Sequence, residues 1–184
     1  MTRLVAFLRG INVGGHVVKN ERLEGAFAAM GFHNVVTYKQ SGNVIFETTA
    51  TNLDDVRARI ERKLRRTLGY EVAVFVRTFA QLEAVVKQER LRRGESDETS
   101  LLVTMLPSST PNPVPPLPLT IPKSTAVVAA ASGSEVFSLT HGGGEGALPN
   151  PFLESKLKVK TTTRNMKVIR EIVQRYSGDS GRKA

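Results

Sequence analysis

The order of strand and helix patterns in the first 78 residues is the feature that most limits the folds open to this chain. Short apolar or β-branched runs alternate with stretches in which apolar residues recur every three or four positions. The strand-like runs lie at 4–8, 34–38, 43–47 and 71–77, and the helix-like stretches at 20–31 and 53–68. This order, β-α-β-β-α-β, predicts a ferredoxin-like unit, in which two helices cover one face of an antiparallel sheet.

Local signals at the ends of both helix-like stretches support this prediction. The first stretch has Asn20 as its expected N-cap and Gly31 as its stop. The second has Asp54 and Asp55 in its first turn and ends at Gly69. Acidic side chains near a helix start and a glycine after its end are favourable because of the helix dipole and the left-handed C-cap.

The second half of the chain repeats a similar order of patterns. A helix at 79–89 and a polar linker at 90–100 lead into strand-like runs at 101–106, 126–131 and 135–140. Two helix-like stretches follow, and they lie at 152–157 and 168–176, with Thr163 or Asn165 as the expected cap of the last one. Seven prolines between residues 107 and 122 exclude a regular helix there and predict extended or turn structure.

We therefore expect an α+β fold made of two ferredoxin-like halves with antiparallel sheets. The first subdomain covers residues 1–90 and the second covers residues 91–176, because the polar stretch between them resembles a linker. Residues 177–184 are small, polar and charged, and we expect them to form a flexible tail.

The composition argues against several classes of site. With no cysteine, the chain has neither a disulfide framework nor a thiolate metal site, and its three histidines are far apart in sequence. We expect no metal site and no cofactor. The apolar run at 4–8 is far too short for a signal sequence or a membrane span, and no other run is long enough. We expect a cytoplasmic protein with no membrane association.

The net charge of +9 is concentrated at the two ends of the chain, whereas the middle is acidic. A basic protein attracts polyanions, such as nucleic acid or phosphorylated metabolites, although many proteins are basic for solubility alone. The second helix is especially rich in cations, which either meet a polyanion or form a solvated outer face, the commoner meaning of such a pattern. These cations are Arg57, Arg59, Arg62, Lys63, Arg65 and Arg66.

A polar, glycine-rich loop at 9–16 follows the first strand and is the strongest indication of a site. Its three glycines leave room for backbone amides to converge on an anion, and Arg9 and Asn12 offer hydrogen-bonding side chains. The loop matches neither the phosphate-loop nor the dinucleotide pattern, so the glycines have a second interpretation as shapers of a tight connection. His16 is a candidate general base, with a surface histidine as the commoner alternative.

Two further polar segments are candidates for the same site. The corner Gln40-Ser41-Gly42-Asn43 has ordinary turn chemistry, and it belongs to a site only if the fold brings Ser41 and Asn43 beside Arg9 or Asn12. The segment at 161–165 places three threonines, an arginine and an asparagine before the last helix, where a phosphate or carboxylate can bind.

Several of these motifs together resemble the DUF-1697 family of bacterial proteins. The resemblance is carried by the residues at 8–15, Gly31-Phe32, Thr37-Tyr38, residues 40–44 and residues 162–165. It runs nearly end to end, and it implies a two-part α+β fold with repeated ferredoxin-like topology and no settled function.

The chain departs from the family pattern at three places. It reads Gly146-Ala147-Leu148-Pro149 where the family has a Ser-Lys-Leu element after the hairpin, and Met166 stands where the family has tryptophan. The proline-rich run from Pro107 replaces a helix of the family.

These observations predict a module that binds a phosphate-bearing or other anionic ligand. The ligand is either a small molecule or nucleic acid. The alternatives are an enzyme acting on a small anionic substrate and a homodimeric scaffold that uses a sheet face as its contact. The catalytic residues of an enzyme are not identifiable from the sequence. The predicted ligand-binding residues are Arg9, Asn12, Gly14, Gly15, Ser41, Asn43, Thr163, Arg164 and Asn165.

Overall fold

A computed structural model describes residues 1–12, 17–88, 99–141 and 148–178 of the chain. The strands are β1 Thr2–Leu8, β2 His33–Thr37, β3 Asn43–Thr48, β4 Val74–Thr78, β5 Thr99–Met105, β6 Leu119–Thr120, β7 Val127–Ser132, β8 Glu135–His141 and β9 Thr162–Asn165. The helices are α1 Asn20–Ala28, α2 Leu53–Leu68, α3 Phe79–Val86, α4 Asn150–Leu157 and α5 Met166–Tyr176. The chain divides into two compact units, Met1–Gln81 and Leu82–Ala184.

The first unit has the predicted ferredoxin-like topology. Its sheet has the strand order β2-β3-β1-β4, and every neighbouring pair is antiparallel. The chain crosses to a non-adjacent strand twice in this order, from β1 to β2 and from β3 to β4. Each of these crossings contains a helix. The prediction of an antiparallel sheet with two helices on one face is confirmed for this unit.

The core of the first unit lies between the sheet and the helices α1 and α2. Alternate residues of β1 point to one face of the sheet, and Leu4, Ala6 and Leu8 pack there in one cluster with residues of both helices. Phe27 of α1 and Phe46 of β3 meet in this cluster with ring centroids 5.4 Å apart. This buried apolar area fixes the register of β1, because a slip of one residue would exchange its two faces.

The second unit repeats the same strand order with one addition. Its sheet has the order β6-β7-β8-β5-β9, so β7, β8, β5 and β9 occupy the places of β2, β3, β1 and β4. The connection from β5 to β7, all of it described by the structure, contains no helix. Instead, Val114, Leu117 and Ile121 of the proline-rich run pack with Leu153 and Leu157 of α4 in the core of this unit. The predicted absence of a helix at 107–122 is therefore confirmed.

The structure differs from some local predictions and confirms another. Thr162–Asn165, which the sequence presents as a loop before the last helix, is strand β9 and pairs with β5. The N-cap of α1 is Lys19 rather than Asn20, and no side chain caps this helix. Asn165 is the cap of α5, because its side chain accepts a hydrogen bond from Lys167 N at 2.8 Å. Residues 179–184 of the expected tail lie outside the described residues.

Candidate anion-binding site

The loop that follows β1 begins in a sharp turn anchored to two other segments. Gly10 has a φ of +68°, a left-handed conformation that glycine adopts without steric cost. The backbone N of Leu8 donates to the carbonyl of Gly42 at 2.8 Å, and the N of Arg9 donates to the carbonyl of Ala73 at 2.9 Å. These bonds fix the end of β1 between the β2–β3 corner and the residues that precede β4.

Asn12 connects this loop to the β2–β3 corner through its side chain. Its Nδ2 donates to the carbonyl oxygen of Gln40 at 2.7 Å, and its Oδ1 accepts from the backbone N of Val18 at 2.7 Å. One amide side chain thus bonds the neighbouring corner and the far end of its own loop. The intervening residues 13–16, which include the predicted site residues Gly14 and Gly15 and the candidate base His16, lie outside the described residues.

Gly42 allows the corner to pack directly against the start of the loop. Its φ is +70°, and a Cβ added there would lie 2.7 Å from Cγ2 of Ile11 and 3.0 Å from Cβ of Leu8. Carbon atoms cannot approach this closely, so only glycine fits the position as built. The corner at 38–43 and the loop at 9–12 can therefore pack closely only because residue 42 is glycine.

The corner itself is ordered by Asn43. This buried side chain donates to the carbonyl of Tyr38 at 3.0 Å and to Oγ of Ser41 at 2.8 Å. Lys39 has a φ of +55° and an exposed side chain whose ammonium lies 5.3 Å from the centre of the Tyr38 ring. The exposed residues of the corner therefore present an ammonium and a hydroxyl to solvent on a rigid frame.

Within the first unit, the structure places four predicted site residues on two adjoining segments. Arg9 and Asn12 lie on the loop, and Ser41 and Asn43 lie on the corner to which Asn12 is bonded. Lys39 was not predicted, and Gln40 was named as part of the candidate corner but not as a ligand-binding residue. Only the bond from Asn12, 28 residues away in sequence, identifies Gln40 as a contact of the loop.

The remaining predicted site residues belong to the second unit, where their polar groups bond within that unit. The hydroxyl of Thr163 bonds the hydroxyl of Thr104 at 2.8 Å and donates to Oδ1 of Asn150. Thr161, fully buried, donates its backbone N to Oε1 of Glu154 at 2.7 Å. These bonds join β9 to β5 and α4, which gives the threonines a structural role.

Arg164 and Asn165 complete this second group. One guanidinium nitrogen of Arg164, Nη1, donates to Oγ1 of Thr162 and to the carbonyl of Thr163, each at 2.9 Å. Desolvation lowers the pKa of Arg164 to about 10, which leaves the side chain protonated at neutral pH. Asn165 caps α5, so a role for either residue in ligand binding stays a prediction.

A partly buried ion pair that the sequence did not indicate lies on the sheet of the first unit. Glu47 of β3 accepts from Arg3 of β1 at 2.8 Å and from Nδ2 of Asn34 at 2.7 Å. Burial by itself raises the pKa of Glu47, but the hydrogen bonds from Asn34 and Arg3 and the charge of Arg3 outweigh it, so the net pKa is lowered. Arg3 and Glu47 are paired across the two strands, and this long-range register is what a sequence pattern cannot supply.

The described ranges contain neither a cluster of metal-binding side chains nor a helix that could span a membrane. No group of three or more histidine or acidic side chains there is arranged to hold a metal ion. Among the helices of the same ranges, none is both long enough and apolar enough to cross a membrane.

Comparison with solved structures shows where this fold occurs. The structure of the conserved bacterial protein SP0830 from Streptococcus pneumoniae is similar, with a TM-score of 0.65 over 97% of this chain and 99% of that chain. The two sequences are 18% identical, so the similarity concerns the fold alone. No curated protein sequence matches this chain.

Comparison with family models identifies the relatives of the sequence itself. The model of DUF1697, a protein family of unknown function, matches residues 1–137. This range contains the whole first unit, including the loop and the corner joined by Asn12, and it extends into β8 of the second unit. The chain belongs to the DUF1697 family.

Proposed function

We propose that this protein is a binding module for a small phosphate-bearing or other anionic ligand, held by the loop at 9–12 and the corner at 38–43. The observation that carries the proposal is the 2.7 Å hydrogen bond from Asn12 to the carbonyl of Gln40, which joins the two segments. Each segment contributes one cation, Arg9 from the loop and Lys39 from the corner. Two cations on connected, ordered segments suit an anion with several oxygen atoms.

The local backbone supports an anion in preference to a neutral ligand. Left-handed residues Gly10, Lys39 and Gly42 turn the chain sharply at both segments, and turns that include left-handed residues are common in anion-binding sites of proteins. The hydroxyl of Ser41 adds a neutral donor beside them. The overall positive charge of the protein would also raise the local concentration of anions.

The amino-acid composition is the basis for proposing a cellular compartment. The chain has no cysteine, which suits a reducing compartment, and we place the protein in the cytoplasm.

An enzyme acting on a small anionic substrate is the alternative for the same site, and a homodimeric scaffold is the alternative without a ligand. Nucleic acid is the macromolecular alternative to a small ligand at this site.

Equilibrium dialysis at low ionic strength tests the proposal with pyrophosphate and ATP as probes. We expect saturable binding by the wild-type protein, weakened at least about tenfold in the double variant Arg9→Gln/Lys39→Asn, because a hydrogen bond to a charged group contributes about 1.5–3 kcal/mol. Asparagine is chosen at position 39 because it tolerates the left-handed backbone found there.

The matched control is Arg57→Gln/Arg65→Gln, which removes two positive charges from α2, where both arginines pair with acidic residues. Equal weakening in the two double variants would show that net charge alone attracts the probes, and the proposal would then fail, as it would if the wild type bound neither probe. Release of inorganic phosphate from ATP during dialysis would favour the enzyme. Sedimentation equilibrium of the same samples tests the homodimer.

A further inference from the structure

The cations of α2 are divided between two flanks of the helix that differ in their partners. On one flank, Arg57 pairs with Asp54 and Glu61, and Arg65 pairs with Glu71. On the other flank, the cations have no ion pair with any acidic residue in the part of the chain that the structure describes. They are Arg59, Arg62, Lys63 and Arg66.

Helical geometry places these four cations in one row. Positions three, four and seven residues apart lie on the same side of an α-helix, so Arg62, Lys63 and Arg66 follow Arg59 along one flank. Arg59 contacts the carbonyl of Met30, just beyond α1, which shows that this flank borders α1. We call the row and Arg22 of α1 the seam cations.

Hydrogen bonds to backbone carbonyls hold three of the seam cations in place. Arg22, near the start of α1, donates to the carbonyl of Thr67 at 2.6 Å, near the end of α2. Arg59 bonds Met30 and lies 5.2 Å from the centre of the Phe32 ring. Nε of Arg66 donates to the carbonyl of Arg62 at 3.4 Å. Each of these bonds fixes a guanidinium group while further N–H donors remain on it.

The helix dipole does not account for this distribution of charge. Basic residues in the last turn of a helix are stabilising, which explains Arg65 and Arg66. The dipole effect falls off within that turn, so it does not explain Arg59 and Arg62. Solubility does not explain it either, because a solvated face would carry acidic and basic residues alike, as the opposite flank does.

We propose that the seam cations form a binding surface for the phosphate backbone of nucleic acid, independent of the base sequence and separate from the loop site. From Arg59 to Arg66 the row spans about 10 Å, at 1.5 Å per residue of helix. One strand of a duplex carries a phosphate about every 3.4 Å along its axis, so the row is as long as about three phosphate spacings. This surface does not rest on the proposed function of the loops.

The type of side chain favours contact with phosphates over stacking on bases. The row consists of arginine and lysine alone, and the aromatic ring nearest to it, Phe32, is buried beneath Arg59. Stacking on bases needs exposed aromatic rings, and this row has none, whereas arginine and lysine bind phosphate oxygens in any sequence. Binding should therefore depend steeply on salt and weakly on sequence.

Fluorescence anisotropy with a 20-base-pair DNA duplex, measured over a series of salt concentrations, tests this surface. The variant Arg62→Gln/Arg66→Gln is expected to lower the slope of log affinity against log salt by about 1.8 and to weaken binding about a hundredfold at 50 mM salt, since each lost phosphate contact removes about 0.9 from the slope. Both positions are exposed, so the fold is retained, and circular dichroism checks it.

The control is again Arg57→Gln/Arg65→Gln, which removes the same charge from the opposite flank of the same helix. This variant should keep the wild-type slope, and Arg62→Lys/Arg66→Lys should restore it. Equal loss in both glutamine variants, or no binding by the wild type at 50 mM salt, would overturn the proposal. Binding to phosphatidylserine vesicles without binding to the duplex would also overturn it, in favour of a membrane surface.

Discussion

Arg3 and Glu47 face each other across β1 and β3, and both Nε and Nη2 of the arginine donate to the same carboxylate oxygen, at 3.0 and 2.8 Å. The second oxygen of Glu47 accepts from Asn34 of β2. Three neighbouring strands of the first sheet are thus joined by one nearly buried carboxylate.

This arrangement predicts a loss of stability in acid. The pKa of Glu47 is lowered from its ordinary value of 4.5, because the hydrogen bonds and the charge of Arg3 outweigh the effect of burial. A carboxyl group with a lowered pKa in the folded state stabilises the protein above its unfolded pKa, and this contribution disappears as the pH falls through the folded pKa. The contribution of Glu47 should therefore be complete at pH 7 and decline below about pH 4.5.

Urea unfolding of Glu47→Gln at pH 7 and pH 3 measures this contribution. We expect the substitution to lower the free energy of unfolding by about 2 kcal/mol at pH 7 and by clearly less at pH 3. The control Glu71→Gln removes a carboxylate from an exposed pair with Arg65 and should change stability by less than about 0.5 kcal/mol. A cost at Glu47 that is independent of pH would contradict the role of its charge.

Gly42 is predicted to tolerate a side chain much less well than Gly69, another left-handed glycine of the first unit. Alanine at this position would add a strained φ and a contact of 2.7 Å with Ile11, so we expect a loss of about 2–4 kcal/mol in thermal or urea unfolding. Gly69 also has a positive φ, +84°, but open space surrounds its Cβ position. Gly69→Ala should therefore cost only about 1 kcal/mol. Equal costs would mean that the loop and the corner are less closely packed than described.

The starts of the two helices α1 and α2 lead to a further prediction. Asn52 accepts from the backbone N of Asp54 at 3.0 Å and of Asp55 at 3.3 Å, whereas Asn20 lies inside α1 and does not cap it. Asn52→Ala should lower the free energy of unfolding by about 1 kcal/mol, and Asn20→Ala should have little effect. A larger loss at Asn20 than at Asn52 would contradict the observed helix starts.

The sequence predicted those parts of the fold that depend on neighbouring residues. Helix α2 begins and ends as expected, because its apolar period, its acidic first turn and Gly69 all lie within one short segment. Strand β9 was missed because its residues are polar, and its pairing with β5 joins segments about 60 residues apart. Lys19 rather than Asn20 is the N-cap of α1, since the exact start of a helix depends on where the preceding loop is anchored.

The sequence marked the loop and the corner as candidates for a site, but it did not show how the two segments are joined. Glycines and polar residues marked the loop and the corner, and their local chemistry is visible in sequence. The bond from Asn12 to Gln40 is a contact between distant segments and required the fold. Residues 146–149 lack the Ser-Lys-Leu tripeptide that the family pattern has after the hairpin. The same tripeptide occurs further along the chain, at Ser155-Lys156-Leu157 in α4, where Leu157 packs in the core.

Titration of the ¹⁵N-labelled protein with pyrophosphate at low salt, followed by amide chemical shifts, tests the loop site most directly. The account predicts saturable shifts concentrated at Arg9–Asn12 and Tyr38–Asn43, and their weakening in Asn12→Ala, which removes the bond between the two segments. Absence of shifts at these residues, or saturable shifts confined to Thr162–Asn165, would contradict it.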